Sequence, residues 1–196
     1  MLPLFPLNTV LFPGCMLDLQ IFEARYLDMI SHCMKQGSGF GVVCILEGEE
    51  VGEAANRFSA VGCEALIRDW KQRSNGLLGI RVEGGRRFRV NRADVERNQL
   101  TVAEVDWLSE VADRPITDEH ADLMALLRAL ASHPLVADLG MGDTVEGQHA
   151  LANQLAYLLP FSPEEKLQLL VQADPLRRLA QIQVLVESLQ HEGSDD

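Results

Sequence analysis

Leu2-Pro3-Leu4-Phe5-Pro6-Leu7, then Val10-Leu11-Phe12-Pro13-Gly14, then Ile21-Phe22-Glu23-Ala24-Arg25-Tyr26 are the blocks on which the reading of this chain turns. Pro3, Pro6 and Pro13 exclude a helix interior and leave extended backbone. Leu2–Leu7 and Val10–Phe12 are therefore predicted as short extended pieces, with Met16–Gln20 continuing as a strand. The period then changes. Phe22, Tyr26, Met29, Ile30 and Cys33 fall at i, i+4, i+7, i+8 and i+11, the apolar stripe of an amphipathic helix. That helix is predicted over Phe22–Gln36, with Lys35 in its last turn and Gly37 as its stop.

Downstream of the helix the two-residue period returns. Phe40–Leu46 reads as a strand covered on both faces, and Val61–Trp70, Leu77–Val82 and Leu100–Trp107 as further strands. Leu78, Ile80 and Val82 alternate with polar positions, as do Phe88 and Val90. A hairpin is predicted with Val82 facing Phe88, Glu83 opposite Arg87, and Gly84-Gly85-Arg86 as its loop. The second half is helical. Thr117 caps a helix to about Ser132 that Pro134 ends, and a second helix runs over about Gly147–Leu159. Ser162-Pro163-Glu164-Glu165 is a capping box with Pro at the first helical position. Asp174-Pro175 starts a last helix through Leu176, Leu179, Ile182, Val186 and Leu189. The fold class is α+β: a β-rich part with one helix over residues 1–108 and a helical bundle over 109–196.

Composition narrows the function classes. The net charge of the 196 residues is −12, unevenly spread. Met1–Trp107 holds 12 Lys/Arg against 14 Asp/Glu, a net of −2, and the remainder 5 against 15, a net of −10. A polyanion is disfavoured as a partner of the second half. No apolar run approaches the ~20 residues of a bilayer span, so no membrane partner is expected. The N-terminal stretch lacks the basic start of a signal peptide, and a cytoplasmic setting is expected. Cys15, Cys33, Cys44 and Cys63 have no Cys-x-x-Cys spacing and are expected as buried thiols rather than disulfides.

The N-terminal blocks resemble the opening of the Lon protease N-terminal domain, which also forms part of cereblon. The order that follows fits as well: a helix, the strand Phe40-Gly41-Val42-Val43, and Gly85-Arg86-Arg87-Phe88-Arg89-Val90. So do Leu159-Pro160, Glu164-Glu165-Lys166, Leu169-Leu170 and Asp174-Pro175 with Arg178-Leu179. The similarity covers nearly the whole chain. It departs from the family pattern at Asp18 and Ala24, where proline is usual. It implies a PUA-like β pseudo-barrel followed by a C-terminal helical bundle. It also implies a role in selecting substrates for an attached ATPase and Ser-Lys protease. Neither machine is expected here, and without a Gly-Lys dipeptide there is no Walker-type phosphate loop.

Candidate chemical features each have a structural explanation. Gly37-Ser38-Gly39-Phe40-Gly41 follows a helix and precedes a strand, the reverse of a dinucleotide cradle. Ser162 and Lys166 are spaced like a nucleophile–base pair, but Ser162 is wanted as a helix cap. His32, His120, His133, His149 and His191 have no ligand spacing. Glu23 and Arg25 suit a helix start, with Arg25 bonding a loop carbonyl. Arg68, Lys71, Arg73, Arg81, Arg86, Arg87 and Arg89 suggest an RNA-binding face, yet only Trp70 and Phe88 are aromatic there. No catalytic, cofactor or metal residue is assigned, and no cofactor is expected. The expected function is non-catalytic recognition of polypeptide, either an unfolded client segment or a partner protein, at a seam between barrel and bundle. The alternatives are a PUA-like RNA-binding module and a self-associating scaffold. No binding residue is assigned from the sequence.

Overall fold

The computed structural model describes residues 1–55 and 57–192. Contacts divide the chain into two compact units, Met1–Leu108 and Ser109–Asp196.

The first unit is a sheet that closes on itself. β1 (Leu2–Leu7), β2 (Met16–Ile21), β3 (Phe40–Glu47), β4 (Arg57–Phe58), β5 (Val61–Gln72), β6 (Leu78–Val95) and β7 (Thr101–Trp107) form seven strands. Their order runs β1-β7-β6-β5-β3-β4, and β1 also pairs with β3. Strands β1, β7, β6, β5 and β3 therefore form a ring, with β2 hydrogen-bonded to β6 outside it. Every ladder is antiparallel except β1–β3. Closure removes most free edges. Leu4, Val43, Phe88 and Ala103 fill the inside, with Leu2, Phe58, Val90 and Val105 packed around them. Residues 10–12 are buried but join no ladder.

The predicted hairpin at Gly84-Gly85-Arg86 is overturned. β6 runs straight through these residues as one strand of 18. Glu83 does not face Arg87: it bonds Arg68 at 2.6 Å, while Arg87 is 1% exposed. The turn lies upstream at Arg73–Leu77, closed by Arg73 N–H→Leu77 C=O at 2.8 Å, with Gly76 at φ 81°. Gly84 serves close approach instead. Its N–H donates to the Cys15 carbonyl and its carbonyl accepts from the Gly14 N–H, both at 2.8 Å, so the loop after residue 12 lies directly against β6.

α1 (Ala24–Gln36) buries Arg25, Tyr26, Met29, Ile30 and Cys33. The helix starts two residues later than the apolar period suggested, so Phe22 lies outside it and is 53% exposed. Gly37 takes the left-handed conformation at φ 62° and ends it.

In the second unit Thr117 caps a 3-10 turn, Asp118–His120, before α2 (Ala121–Ala131). Pro134 does not merely follow a helix; it occupies the first turn of a short one, α3 (Pro134–Ala137), where its missing N–H is harmless. α4 (Gln148–Leu158), α5 (Pro163–Val171) and α6 (Pro175–Glu192) complete the unit. Leu127, Leu151, Leu155, Leu169, Leu179 and Ile182 are buried in it.

Candidate functional site

The sequence's candidate nucleophile is a helix cap. Ser162 Oγ accepts from the Glu165 N–H, and Glu165 Oε2 accepts from the Ser162 N–H at 2.7 Å. Lys166 Nζ donates to the Tyr157 carbonyl. His133 caps α3, His120 bonds Thr117, and His149 lies 2.7 Å from the Val111 carbonyl. Among the described residues no three His, Cys, Asp or Glu side chains converge on a point.

All four cysteines are buried thiols. Burial pushes the Cys63 thiol well up, and raises that of Cys33. Both stay protonated near neutral pH and unreactive. An aromatic disulfide reagent is expected to label no cysteine in the native chain and all four after urea unfolding. Rapid stoichiometric labelling of a native thiol would contradict this burial.

Glu23 and Arg25 form a bracket rather than a recognition pair. Arg25 Nη1 donates to the Gln99 carbonyl at 2.8 Å, and Arg25 Nη2 lies 3.1 Å from Glu23 Oε2. Gln99 holds φ 69°, and its side chain accepts from the Ala54 N–H. Glu23 accepts from the Gly52 N–H. The Arg25 guanidinium also covers the Tyr26 ring at 4.6 Å, and Tyr26 stacks on Phe5 at 4.0 Å. The start of α1 thus fastens the 48–55 loop and the turn before β7.

Three cations of the basic face are paired with carboxylates. Arg81 grips Asp18 in a two-pronged pair at 2.7 and 2.8 Å, Arg68 pairs with Glu83, and Arg86 with Glu64. The hydrogen bond from Arg81, with its charge, holds the Asp18 carboxyl below its ordinary range. What the pair contributes is complete above the ordinary carboxylate pKa and is lost as pH falls through the lowered value. Arg86 lies 3.8 Å over the Trp107 ring, so that face is covered. Arg87 is buried.

Several concave surfaces occur among the described residues. One of about 570 Å³ lies around Asp18, Trp70, Lys71, Arg73, Gly79 and Arg81 at the β5–β6 turn. Trp70 is 56% exposed there, but the lining is mainly charged and polar. In the second unit a groove of about 360 Å³ between α5 and α6 is lined by Leu169, Ala180, Val184 and Leu185. A smaller cavity of about 160 Å³ lies beside β2, lined by Leu7, Leu19, Phe22, Tyr26, Glu50 and Val51 among others. Sequence reasoning missed these surfaces. The residues of the cavity beside β2 come from segments far apart in the chain, and no local spacing marks any of these surfaces.

A sequence model of the ATP-dependent protease La (Lon) substrate-binding domain matches residues 1–188. The chain belongs to this Lon domain family. The Lon N-terminal domain protein from Xanthomonas campestris is similar in structure at a TM-score of 0.75 and 38% identity. That match covers 93% of this chain and 96% of the other. The N-terminal domain of Lon protease from the Mycobacterium avium complex shares the fold at a TM-score of 0.62 and 20% identity, over 95% and 96% of the two chains. The Lon protease of Paraburkholderia phytofirmans is 28% identical over 184 residues, 89% of this chain. That of Flavobacterium johnsoniae is 24% identical over 127 residues, 64% of this chain. The chain spans 22% and 15% of the length of these two relatives. The α+β expectation, the β-rich closed sheet and the following helices stand as this Lon domain's fold. No helix among the described residues is long and apolar enough to cross a membrane.

Proposed function

We propose that this Lon-type domain recognises polypeptide, binding exposed apolar segments without performing chemistry on them. The observation that carries this reading is the match of residues 1–188 to a substrate-binding domain. Surface chemistry agrees with it. Phe22, Val51 and Trp70 in the first unit and Val184 in the second are large apolar side chains more than half exposed. The net of −10 in the second half favours basic polypeptides over nucleic acid.

The test compares a permanently unfolded model protein, reduced and alkylated, with its folded parent by fluorescence anisotropy. Saturable micromolar binding to the unfolded form alone is expected. Calorimetry with ATP is expected to show no heat of binding. Equal failure to bind either form, or salt-sensitive RNA binding that outcompetes the unfolded protein, would overturn the proposal.

A further inference from the structure

Strand β2 leaves one edge open. Among the described residues it pairs only with β6. The Gly84 N–H→Cys15 C=O bond sets the phase of that ladder. With Met16 opposite Glu83, hydrogen-bonded pairs recur at Leu17, Leu19 and Ile21. The N–H and C=O groups of Asp18 and Gln20 then point away from β6, and both residues are exposed. Such an edge is a template for one more strand, and proteins usually blunt it with proline, a bulge or lysine. β2 carries none of these: its six residues are Met-Leu-Asp-Leu-Gln-Ile, and they pair with β6 without a register shift. Its one charge, Asp18, is already taken up by Arg81.

The edge adjoins the 160 Å³ cavity, whose volume is of the order that holds a benzene ring. Phe22 and Val51, each 53% exposed, belong to its lining. The lining includes the carboxylates Asp18, Glu23 and Glu50 and no cation. Asp18 and Glu23 are matched by Arg81 and Arg25. Glu49, Glu50 and Glu53, all on the adjoining 48–55 loop, have no cation within ion-pair distance among the described residues.

We propose that the outer edge of β2 receives an extended polypeptide as an added strand. One apolar side chain of that strand fills the cavity, and Lys or Arg residues flanking it face Glu49, Glu50 and Glu53. Main-chain pairing supplies affinity with little sequence demand, while the cavity and the acidic loop supply preference. This localises the polypeptide recognition proposed above and rests on it.

The probe is a short fluorescent peptide of alternating Leu and Thr with lysines at both ends, titrated into the whole chain by anisotropy. Two twins are compared with it, one N-methylated along a single strand edge and one with glutamates in place of the lysines. Gln20→Pro removes an outward N–H without touching the β2–β6 ladder. The lysine peptide is expected to bind and to slow amide exchange at Asp18 and Gln20. N-methylation, glutamate ends and Gln20→Pro are each expected to weaken binding about tenfold. If Gln20→Pro unfolds the chain, the N-methylated twin against the native chain decides. If the N-methylated twin binds as well as its parent, or protection appears only at α5 and α6, the edge site is wrong while polypeptide recognition stands. The edge site is likewise wrong, and recognition intact, if unfolded protein binds and the peptide does not. Failure of both the peptide and the unfolded model protein to bind sinks both readings.

Discussion

Gly84→Ala is expected to destabilise the chain by about 3 kcal/mol, lowering its melting temperature by about 6–12 °C. A Cβ at this position lies 2.0 Å from the Phe12 carbonyl oxygen and 2.8 Å from the Phe12 carbonyl carbon. Both obstacles are main chain, so no rotamer change relieves them. The 12–15 loop must move off β6, which breaks the two hydrogen bonds that Gly84 makes with Gly14 and Cys15. Each contributes about 1 kcal/mol, and the overpacking adds to the loss. Gly85→Ala is the control. Its nearest obstacle is Glu64 Oε2 at 3.0 Å, the far end of a flexible side chain, so less than about 1 kcal/mol is expected. Urea titration of both variants decides the point through the midpoint at unchanged slope. Losses equal within about 1 kcal/mol would refute the close-approach reading of Gly84.

The same glycine shows why part of the fold was illegible. Gly84-Gly85 between two alternating apolar runs has the look of a turn, and strands of about five or six residues are the common length. A three-residue loop and an uninterrupted strand place Val82, Phe88 and Val90 on the same side, so alternation could not separate them. The signal that does separate them was present at Asn75-Gly76, the dipeptide that favours tight hairpin turns. In the structure Gly76 has the positive φ such a turn needs. The prolines are uneven guides for the same kind of reason. Pro163 and Pro175 sit in first helical turns, as their capping residues indicate, whereas Pro134 reads as a stop because no cap other than His133 precedes it.

Legibility of the surface follows a simpler rule. The bracket at the start of α1 was readable because Arg25 is a long donor at a helix start, and a carbonyl partner was the natural expectation; that the partner would be Gln99, 74 residues away, was not. The open edge of β2 was unreadable because an edge is defined by which strands are not beside it, and pairing of β1 with β7 and β3 is a property of the closed sheet. Apolar side chains such as Phe22 and Val51 look like core residues in a sequence, and only the placement of the helix start and the 48–55 loop exposes them.

Arg178→Met is expected to cost about 2–4 kcal/mol, and Arg178→Lys to recover less than half of it. Arg178 is 0% exposed on α6, next to the buried Leu179 and one turn before the buried Ile182. Its Nη1 donates to Asn153 Oδ1 on α4, and its Nη2 to the carbonyl of Gln172, the residue that ends α5. One guanidinium therefore ties three helices of the second unit, satisfying an orphan carbonyl at a helix end on the way. Methionine keeps much of the packing volume but removes both donors, so the cost isolates the polar ties. Lysine keeps the charge, but its three N–H donors share one nitrogen, which cannot span two acceptors held on different elements. Calorimetric melting of the three proteins is the measurement. A lysine variant as stable as the parent would show that charge rather than the forked geometry matters, and a methionine variant within about 0.5 kcal/mol of the parent would show that Arg178 does not hold these helices together.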